Sequence, residues 1–381
     1  MHSSINQNQR SPRIKLVIVT NMLAPYRIPL FENIHGDPRI DLHVIVNDII
    51  CPERSAWRVG EITFPYSLVK RKKLCLLSRK YDVPCNLVTL LSQLKPQITV
   101  ASGFSPASIL TLFYSQALGI PFIVWSGETR LSYHLGNRHP GSQYVRRLMV
   151  HLADGCLAYG PDAKEYLQSC GANDGKVWVI NNICNAAPFL LTKRHPRKGP
   201  FADMLYVGEL SERKNVHLLV SAYRQAIRCY PELRLTLVGG GDLQAALLEY
   251  RRKHLLNGLI IRGEVPSTDV SSIMARADFF ILASRVDLWP HVVMEAMASG
   301  LPVLCSKNAG VPPYIVRDSE NGFFFSPESE LEIMDAIGKM MKKRGKWGAM
   351  GARSMEIVKE YSVERSAEAF RAAITETLMA S

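Results

Sequence analysis

Short β-branched runs alternate with amphipathic segments through most of the chain, the pattern of βα units wound around a parallel sheet. In the first half the pattern predicts strands at 15–20, 42–46, 98–102, 122–125, 156–159 and 177–180, with helices at 28–35, 86–94, 105–118, 142–152 and 162–169. The polar, proline-bearing stretch TKRHPRKGP at 192–200 interrupts it and reads as a linker. The alternation then restarts, with strands at 204–207, 234–238, 259–261, 279–282, 302–305 and 323–325, and helices at 216–230, 243–254, 270–276, 291–299 and 331–341. Two closing helices fall near 347–359 and 363–378; in the second, Val363, Ala367, Phe370 and Ile374 recur at helical spacing behind Ser362, an N-cap residue type. The expectation is an α/β chain with a first domain at 1–191, a linker at 192–200, a second domain at 201–361 and a terminal helix at 362–381 that is free to pack back on the first. A length of 381 residues also exceeds the roughly 250–300 at which a single core stops growing.

Composition narrows the class. Apolar residues make up 47% and charged ones 21%, which excludes a disordered, collagenous or disulfide-scaffold chain. The 46 Lys and Arg outnumber the 34 Asp and Glu, for a net charge of +12, so anionic partners are expected: nucleotides, nucleic acid or an acidic membrane surface. The excess leans toward the first half, with 20 basic and 12 acidic residues up to Leu190 and 26 and 22 after it. The N-terminal segment is polar and its first apolar run short, unlike a signal peptide, and no stretch reaches the ~20 apolar residues of a spanning helix. The eight cysteines include no C-x-x-C pair and no nearby His-x₃₋₅-His, so reduced thiols in a cytoplasmic protein are expected rather than a metal site.

Three segments of the second half carry chemistry. In YVGELSERKNV a strand ends at Gly208, and Arg213 and Lys214 sit where a helix starts; a cation beside a helix N-terminus fits a phosphate, and a solvated pair in a βα loop is the competing reading. VGGGD places Gly239, Gly240 and Gly241 at another strand end, where backbone can approach a phosphate or sugar closely, or simply turn. In ASRVDLWPHVVMEAMASGLPVLCS, Asp287 follows a strand, Pro290 suits the first helical position, and Glu295 falls about one and a half turns into the helix. A carboxylate inside so apolar a helix is expensive unless hydrogen-bonded. Vicinal hydroxyls of a ribose would satisfy it, as would a structural salt bridge.

Taken together, these segments resemble the retaining glycosyltransferases of the GT-B fold, in particular glycosyltransferase family 4. The family's G-R-L-x-x-x-K segment appears as Gly208-Glu209-Leu210…Lys214, and its Glu-x₇-Glu motif as Asp287…Glu295, running into E-A-M-A-x-G-x-P-V. NAGVPPYIVRDSENGFFFSP at 308–327 is similar to the family's stretch after that motif, and NMLAPYRIPLF at 21–31 resembles the family's first βα loop more loosely. The resemblance implies two Rossmann-like domains facing across a cleft and a sugar donor that is a nucleoside-diphosphate sugar, with no other cofactor and no metal. It assigns the ribose hydroxyls to Glu295, the diphosphate to Lys214, the donor sugar hydroxyls to Asp287 and the phosphates to the amides of His291 and Val292. Gly208 and Gly240 would lie along the donor, and Arg262 and Gly263 beside the base. Where the family commonly has an Arg and a Gly, this chain has Glu209 and Pro290, and Trp125-Ser126-Gly127-Glu128 lacks the usual His. Arg213 would then replace the missing cation, and Glu128 is a candidate cleft carboxylate.

The implied reaction is transfer with retention by front-face attack, the leaving phosphate oxygen taking the acceptor proton, in polysaccharide, glycolipid or other glycoconjugate synthesis. The acceptor side falls to the first domain. Residues 69–80 hold Lys70, Arg71, Lys72, Lys73, Arg79 and Lys80 among leucines and no acid, a composition that can rest on an anionic membrane; the expected partner is a lipid-linked or anionic glycan acceptor, and the expected place the cytoplasm or its membrane face. The rival readings are a donor-binding pseudoenzyme and a nucleotide-sugar epimerase. Nucleic acid is not expected, because no aromatic platform interleaves the cations.

Overall fold

The computed structural model describes residues 13–49, 61–76, 79–130, 133, 141–181, 186–195, 199–287 and 289–381. The first domain is built on a seven-stranded, all-parallel sheet: β1 (Ile14–Met22), β2 (Ile40–Asp48), β3 (Tyr66–Leu68), β6 (Ile98–Ser102), β7 (Phe122–Ser126), β8 (Gly155–Ala158) and β9 (Val177–Val179), in the order β3-β2-β1-β6-β7-β8-β9. Its strands read as nearly continuous apolar runs because both faces are covered. Along β1 the period-two alternation is still visible: Leu16 and Ile18 enter one core, Val17 and Val19 the other. Helix α1 (Ile28–His35) lies over the first of these cores; α2 (Leu87–Leu94), α3 (Pro106–Leu118), α4 (Ser142–Leu152) and α5 (Pro161–Ser169) lie over the second.

The second domain repeats the plan with six parallel strands: β10 (Ala202–Val207), β11 (Leu233–Val238), β12 (Leu259–Ile261), β13 (Phe279–Leu282), β14 (Val303–Ser306) and β15 (Gly322–Phe325), ordered β12-β11-β10-β13-β14-β15. The helices in chain order are α6 (Ala187–Leu191), at the entrance to the linker, then α7 (Val216–Ala226), α8 (Gln244–Lys253), α9 (Ser267–Met274), α10 (His291–Ala298), α11 (Glu330–Lys342), α12 (Trp347–Lys359) and α13 (Val363–Ala380). Both sheets change winding direction once, between β1 and β6 and between β10 and β13. Each such point opens a crevice at the strand carboxyl ends, where ligands of doubly wound sheets bind. This is the GT-B architecture.

The linker is held down by guanidinium groups. Arg194 donates to the Ala277 carbonyl at 2.7 Å and to that of Gly300, and Arg344 donates to the Pro200 and Phe201 carbonyls, each at 2.9 Å. After α12 the chain crosses back: Ala367, Phe370, Ala373 and Ile374 of α13 are fully buried in the first-domain core, and Arg371 donates to Asn33 on α1 at 2.9 Å.

Several expectations change in detail. The basic segment at 69–80 contributes to an antiparallel hairpin, β4 (Arg71–Leu76) with β5 (Arg79–Pro84). Pro290 is the N-cap of α10 rather than its first residue, with extended backbone. Helix α7 stops at Ala226, four residues early, because Ile227 to Tyr230 close as turns on the Tyr223, Gln225 and Ala226 carbonyls. Strand β3 and helix α6, three and five residues long, are too short to show a period. Among the described residues no helix is long and apolar enough to cross a membrane.

Candidate functional site

The carboxyl ends of the two sheets face each other. Tyr26, in the loop after β1, stacks on His291 at the start of α10, with ring centroids 3.7 Å apart and planes at 29°. Nearby, a Cβ added at Gly160 would stand 3.1 Å from the Tyr314 hydroxyl and 3.8 Å from the Trp289 ring, so the absence of a side chain there lets the domains close.

On the second-domain side, Gly208 follows the last residue of β10, and a 3-10 turn over Glu212–Lys214 carries both cations into α7. Asn215 is fully buried with φ of +58°, and its amide donates to the Pro327 carbonyl at 2.7 Å, which fixes the turn. Lys214 Nζ reaches Asp287 Oδ2 in a close ion pair, both side chains mostly buried. Arg213 forks onto Glu209 at 3.1 Å and approaches Asp287 at 4.0 Å. The two loops are zipped by backbone: Arg285 N–H donates to the Arg213 carbonyl at 3.0 Å, and Asp287 N–H to that of Asn308 at 3.3 Å. Four charges thus balance at the β10/β13 crevice, and Glu209 is neutralised by Arg213. The buried Ser284 hydroxyl, just past the end of β13, has no hydrogen-bond partner among the described residues. Burial, with the negative Asp287 and Glu209 nearby, raises the Tyr206 phenol and keeps it protonated; its hydroxyl donates to the Glu209 carbonyl at 2.8 Å.

Glu295 lies in the second turn of α10. Desolvation pushes its carboxyl up to about 7, and no side-chain hydrogen bond to it is present among the described residues. His291 and Val292 open α10 and are partly exposed; the first helical amide bond runs from Val293 to the Pro290 carbonyl at 3.0 Å, leaving the positive helix end directed outward from Val292.

The glycine turn proves to be a packing device. A Cβ on Gly239 would fall 1.9 Å from the Gly208 carbonyl oxygen, and one on Gly241 2.5 Å from that of Leu210, both at φ well above zero. Gly240 accepts from Leu210 N–H at 2.8 Å, and Gly263 accepts from Gly239 N–H at 2.8 Å. The loops bearing Gly208, Gly240 and Gly263 are therefore stacked in a row along the sheet edge. Arg262, one residue earlier, borders a groove shared with Asp203, Thr236 and Arg276 beneath α9.

Structure brings Lys214, Arg213 and Asp287 into one cluster beside α10, which carries His291, Val292 and Glu295. Glu128 stands apart from them on the first domain. Both its carboxylate oxygens are taken by Arg146, at 2.6 and 2.9 Å, and the guanidinium lies over the Phe104 and Tyr133 rings. Sequence reasoning did not single out Tyr26, Arg27, Arg146 or Tyr159. Arg27 carried a signal of the kind that drew attention to Glu295: it is the one charge in the apolar run from Ala24 to Phe31.

Comparison with known proteins bears on the family and the fold. The family described as glycosyl transferases group 1 matches residues 191–375. A glycogen synthase of Mycobacterium tuberculosis is 29% identical over 178 residues, 46% of this chain and 42% of the relative. The sulfoquinovosyl transferase of Arabidopsis thaliana is 27% identical over 327 residues, 80% of this chain and 60% of the relative; the chain spans less than two thirds of either. Among solved structures, the lipopolysaccharide outer core galactosyltransferase WaaB superposes with a TM-score of 0.71 at 15% identity, covering 95% of this chain and 99% of that one. Anabaena HepE in complex with UDP and glucose gives 0.70 at 17% identity, covering 94% and 99%. Residues 191–375 thus match the glycosyl transferases group 1 family, within a chain of the two-domain GT-B fold.

Proposed function

We propose that the protein is a glycosyltransferase that moves a sugar from a nucleoside-diphosphate sugar to an acceptor with retention of anomeric configuration, without a metal cofactor. The observation that carries this reading is the juxtaposition of the Lys214–Asp287 pair with the start of α10 and the unpaired, desolvated Glu295 one turn further on. Cation and helix end suit a diphosphate; a carboxylate without a partner suits paired ribose hydroxyls. Arg213, steered by Glu209, supplies the second cation that the resemblance to family 4 leaves missing, so positive charge for the departing diphosphate comes from side chains.

Leaving-group stabilisation by Lys214, Arg213 and the α10 amides is then the main catalytic contribution. When the diphosphate docks, Lys214 exchanges Asp287 for phosphate oxygen, which frees the Asp287 carboxylate to accept from hydroxyls of the donor sugar. Front-face attack lets the leaving phosphate oxygen take the acceptor proton, so no protein nucleophile is required. HepE, whose fold this chain shares, is a UDP complex; a uridine donor is the first to try. A thermal-shift screen of sugar nucleotides, followed by nucleoside diphosphate release with candidate acceptors, tests the reading. One stabilising donor with acceptor-dependent release supports it. Binding of a donor with no release by any acceptor would favour a pseudoenzyme, and release of an isomerised sugar nucleotide an epimerase.

The acceptor side belongs to the first domain, with polysaccharide or glycolipid synthesis at an anionic membrane face as the setting. Exposed Lys70 and Lys72 at the hairpin support this. Arg71 contributes less, because Asp48 and Asp82 hold it at 2.6 and 3.0 Å.

A further inference from the structure

Each sheet carries a mostly buried cation at its winding-reversal crevice, and the two differ in their partners. Lys214, in the second domain, is neutralised by Asp287. Its first-domain counterpart is Arg27, only 8% exposed. Its Nη1 donates to Thr20 Oγ1 at the end of β1 (2.7 Å) and lies 3.5 Å from Ser102 Oγ at the end of β6; its Nη2 donates to the Tyr159 hydroxyl beyond β8 at 2.5 Å. The guanidinium therefore straddles the β1/β6 crevice. It lies 4.9 Å from the Trp125 ring centre, and no carboxylate pairs with it among the described residues. Its Nε is buried and finds no acceptor. A buried charge without a counter-ion is costly. The Tyr159 hydroxyl accepts from the guanidinium and keeps its own hydrogen to donate, with Ser102 hydrogen-bonded beside it and the cation polarising both. Both residues are partly exposed, as is Tyr26 beside them. Gly127 holds this arrangement open, since a Cβ there would fall 2.0 Å from the Tyr159 ring.

We propose that this crevice is an oxyanion site on the acceptor side of the cleft, in which Arg27, Ser102 and Tyr159 recognise a phosphate or carboxylate group of the acceptor. The missing counter-ion is then supplied by the substrate. The inference rests on the glycosyltransferase reading, which makes the first domain the acceptor side, but the oxyanion site can be tested without turnover. The acceptor's anion has two sources, a phosphorylated carrier or an acidic sugar, and both present the same chemistry to the crevice.

The test uses Lys214→Ala as background, which removes the more buried second-domain cation, while Arg213, held on Glu209, stays the same in every variant compared. Inorganic phosphate, methyl glucuronide and neutral methyl glucoside are titrated while thermal midpoint and tryptophan emission are followed, with Trp125→Phe assigning the optical signal. Saturable binding of phosphate or glucuronide is expected in Lys214→Ala, about tenfold to a hundredfold weaker once Arg27→Gln is added, with no response to the glucoside. The tighter of the two anions distinguishes a phosphorylated carrier from an acidic glycan. Ser102→Ala and Tyr159→Phe leave the guanidinium in place and should weaken binding severalfold; they decide the matter if Arg27→Gln does not fold. Loss of all saturable anion binding in Lys214→Ala, or unchanged affinity in the crevice variants, overturns the proposal. UDP titrated into the wild type separates the two failures, since its absence of binding would count against the donor reading alone.

Discussion

Glu295 and Glu128 are both mostly buried acids, and their surroundings give them opposite characters. Desolvation without a partner pushes Glu295 up to about 7 from an ordinary 4.5. Because its folded-state value is raised, the folded protein loses stability relative to the unfolded chain as pH climbs from about 4.5 to about 7, after which the loss is constant. Glu295→Gln should therefore raise the melting temperature of the ligand-free protein at pH 8 and leave it unchanged near pH 4, while weakening nucleotide binding. Equal melting curves of both proteins at pH 8 would contradict desolvation as the cause. Glu128, in contrast, is fully engaged by Arg146, with side-chain exposures of 15% and 5%. Breaking a pair this buried costs about 3–5 kcal/mol. Arg146→Met should lower thermal stability accordingly and leave second-domain nucleotide affinity intact; lost affinity in a folded variant would restore Glu128 to a direct ligand role. Sequence alone could identify both as acids following strands or within an apolar helix. It could not tell them apart, because Arg146 lies 18 residues beyond Glu128 with no helical or strand spacing to link them.

At the level of elements, the strand–helix alternation reads well wherever both faces of a strand are covered, as in β1, β6, β10 and β13, whose apolar runs coincide with the observed strands to within a few residues. It reads poorly where an element is short or amphipathic by alternation. The hairpin at 71–84 was visible as a cluster of charge and leucine but not as two strands, since its pairing depends on register across a turn. The glycine turn was legible as a place of close approach; that the approaching group is the neighbouring backbone at Gly208 and Leu210 required the fold. Gly239→Ala places a Cβ where the Gly208 carbonyl stands, so the loop row at the sheet edge must shift. Nucleotide affinity should fall at least tenfold in a protein that remains folded, whereas Gly345→Ala, whose Cβ meets nothing within 4 Å, should behave as wild type. Titration of both variants with the same donor checks this. In α13 the stripe of Ala367, Phe370 and Ile374 marked a buried face, but its partner, the first-domain core, lies more than 180 residues back in sequence. Phe370→Ala should destabilise by about 3–5 kcal/mol, read by urea denaturation with probes in each domain, and the first-domain transition should shift most.

For the whole molecule, the doubling of domains and the positive charge were available from the outset, and the structure separates their uses. The two domains meet through Tyr26 and His291, a contact across 265 positions that no local pattern encodes. The charge divides between a balanced cluster around Lys214, an uncompensated Arg27 in the first domain, and the exposed lysines of the hairpin. If those lysines hold the protein on anionic membranes, Lys70→Glu with Lys72→Glu should abolish cosedimentation with phosphatidylglycerol vesicles at low salt and spare donor binding; unchanged cosedimentation would remove the hairpin from any membrane role. The proposed donor recognition, on which the rest depends, would place a nucleoside-diphosphate sugar between Lys214, the start of α10 and Glu295. Calorimetric titration of the donor selected by thermal shift into wild type, Lys214→Ala and Glu295→Gln, at pH 6 and pH 8, decides whether it does. The expected result is tighter wild-type binding at pH 8 as Glu295 ionises, loss of that pH dependence in Glu295→Gln, and at least tenfold weaker binding in Lys214→Ala. Equal affinities for all three proteins at both pH values would contradict it.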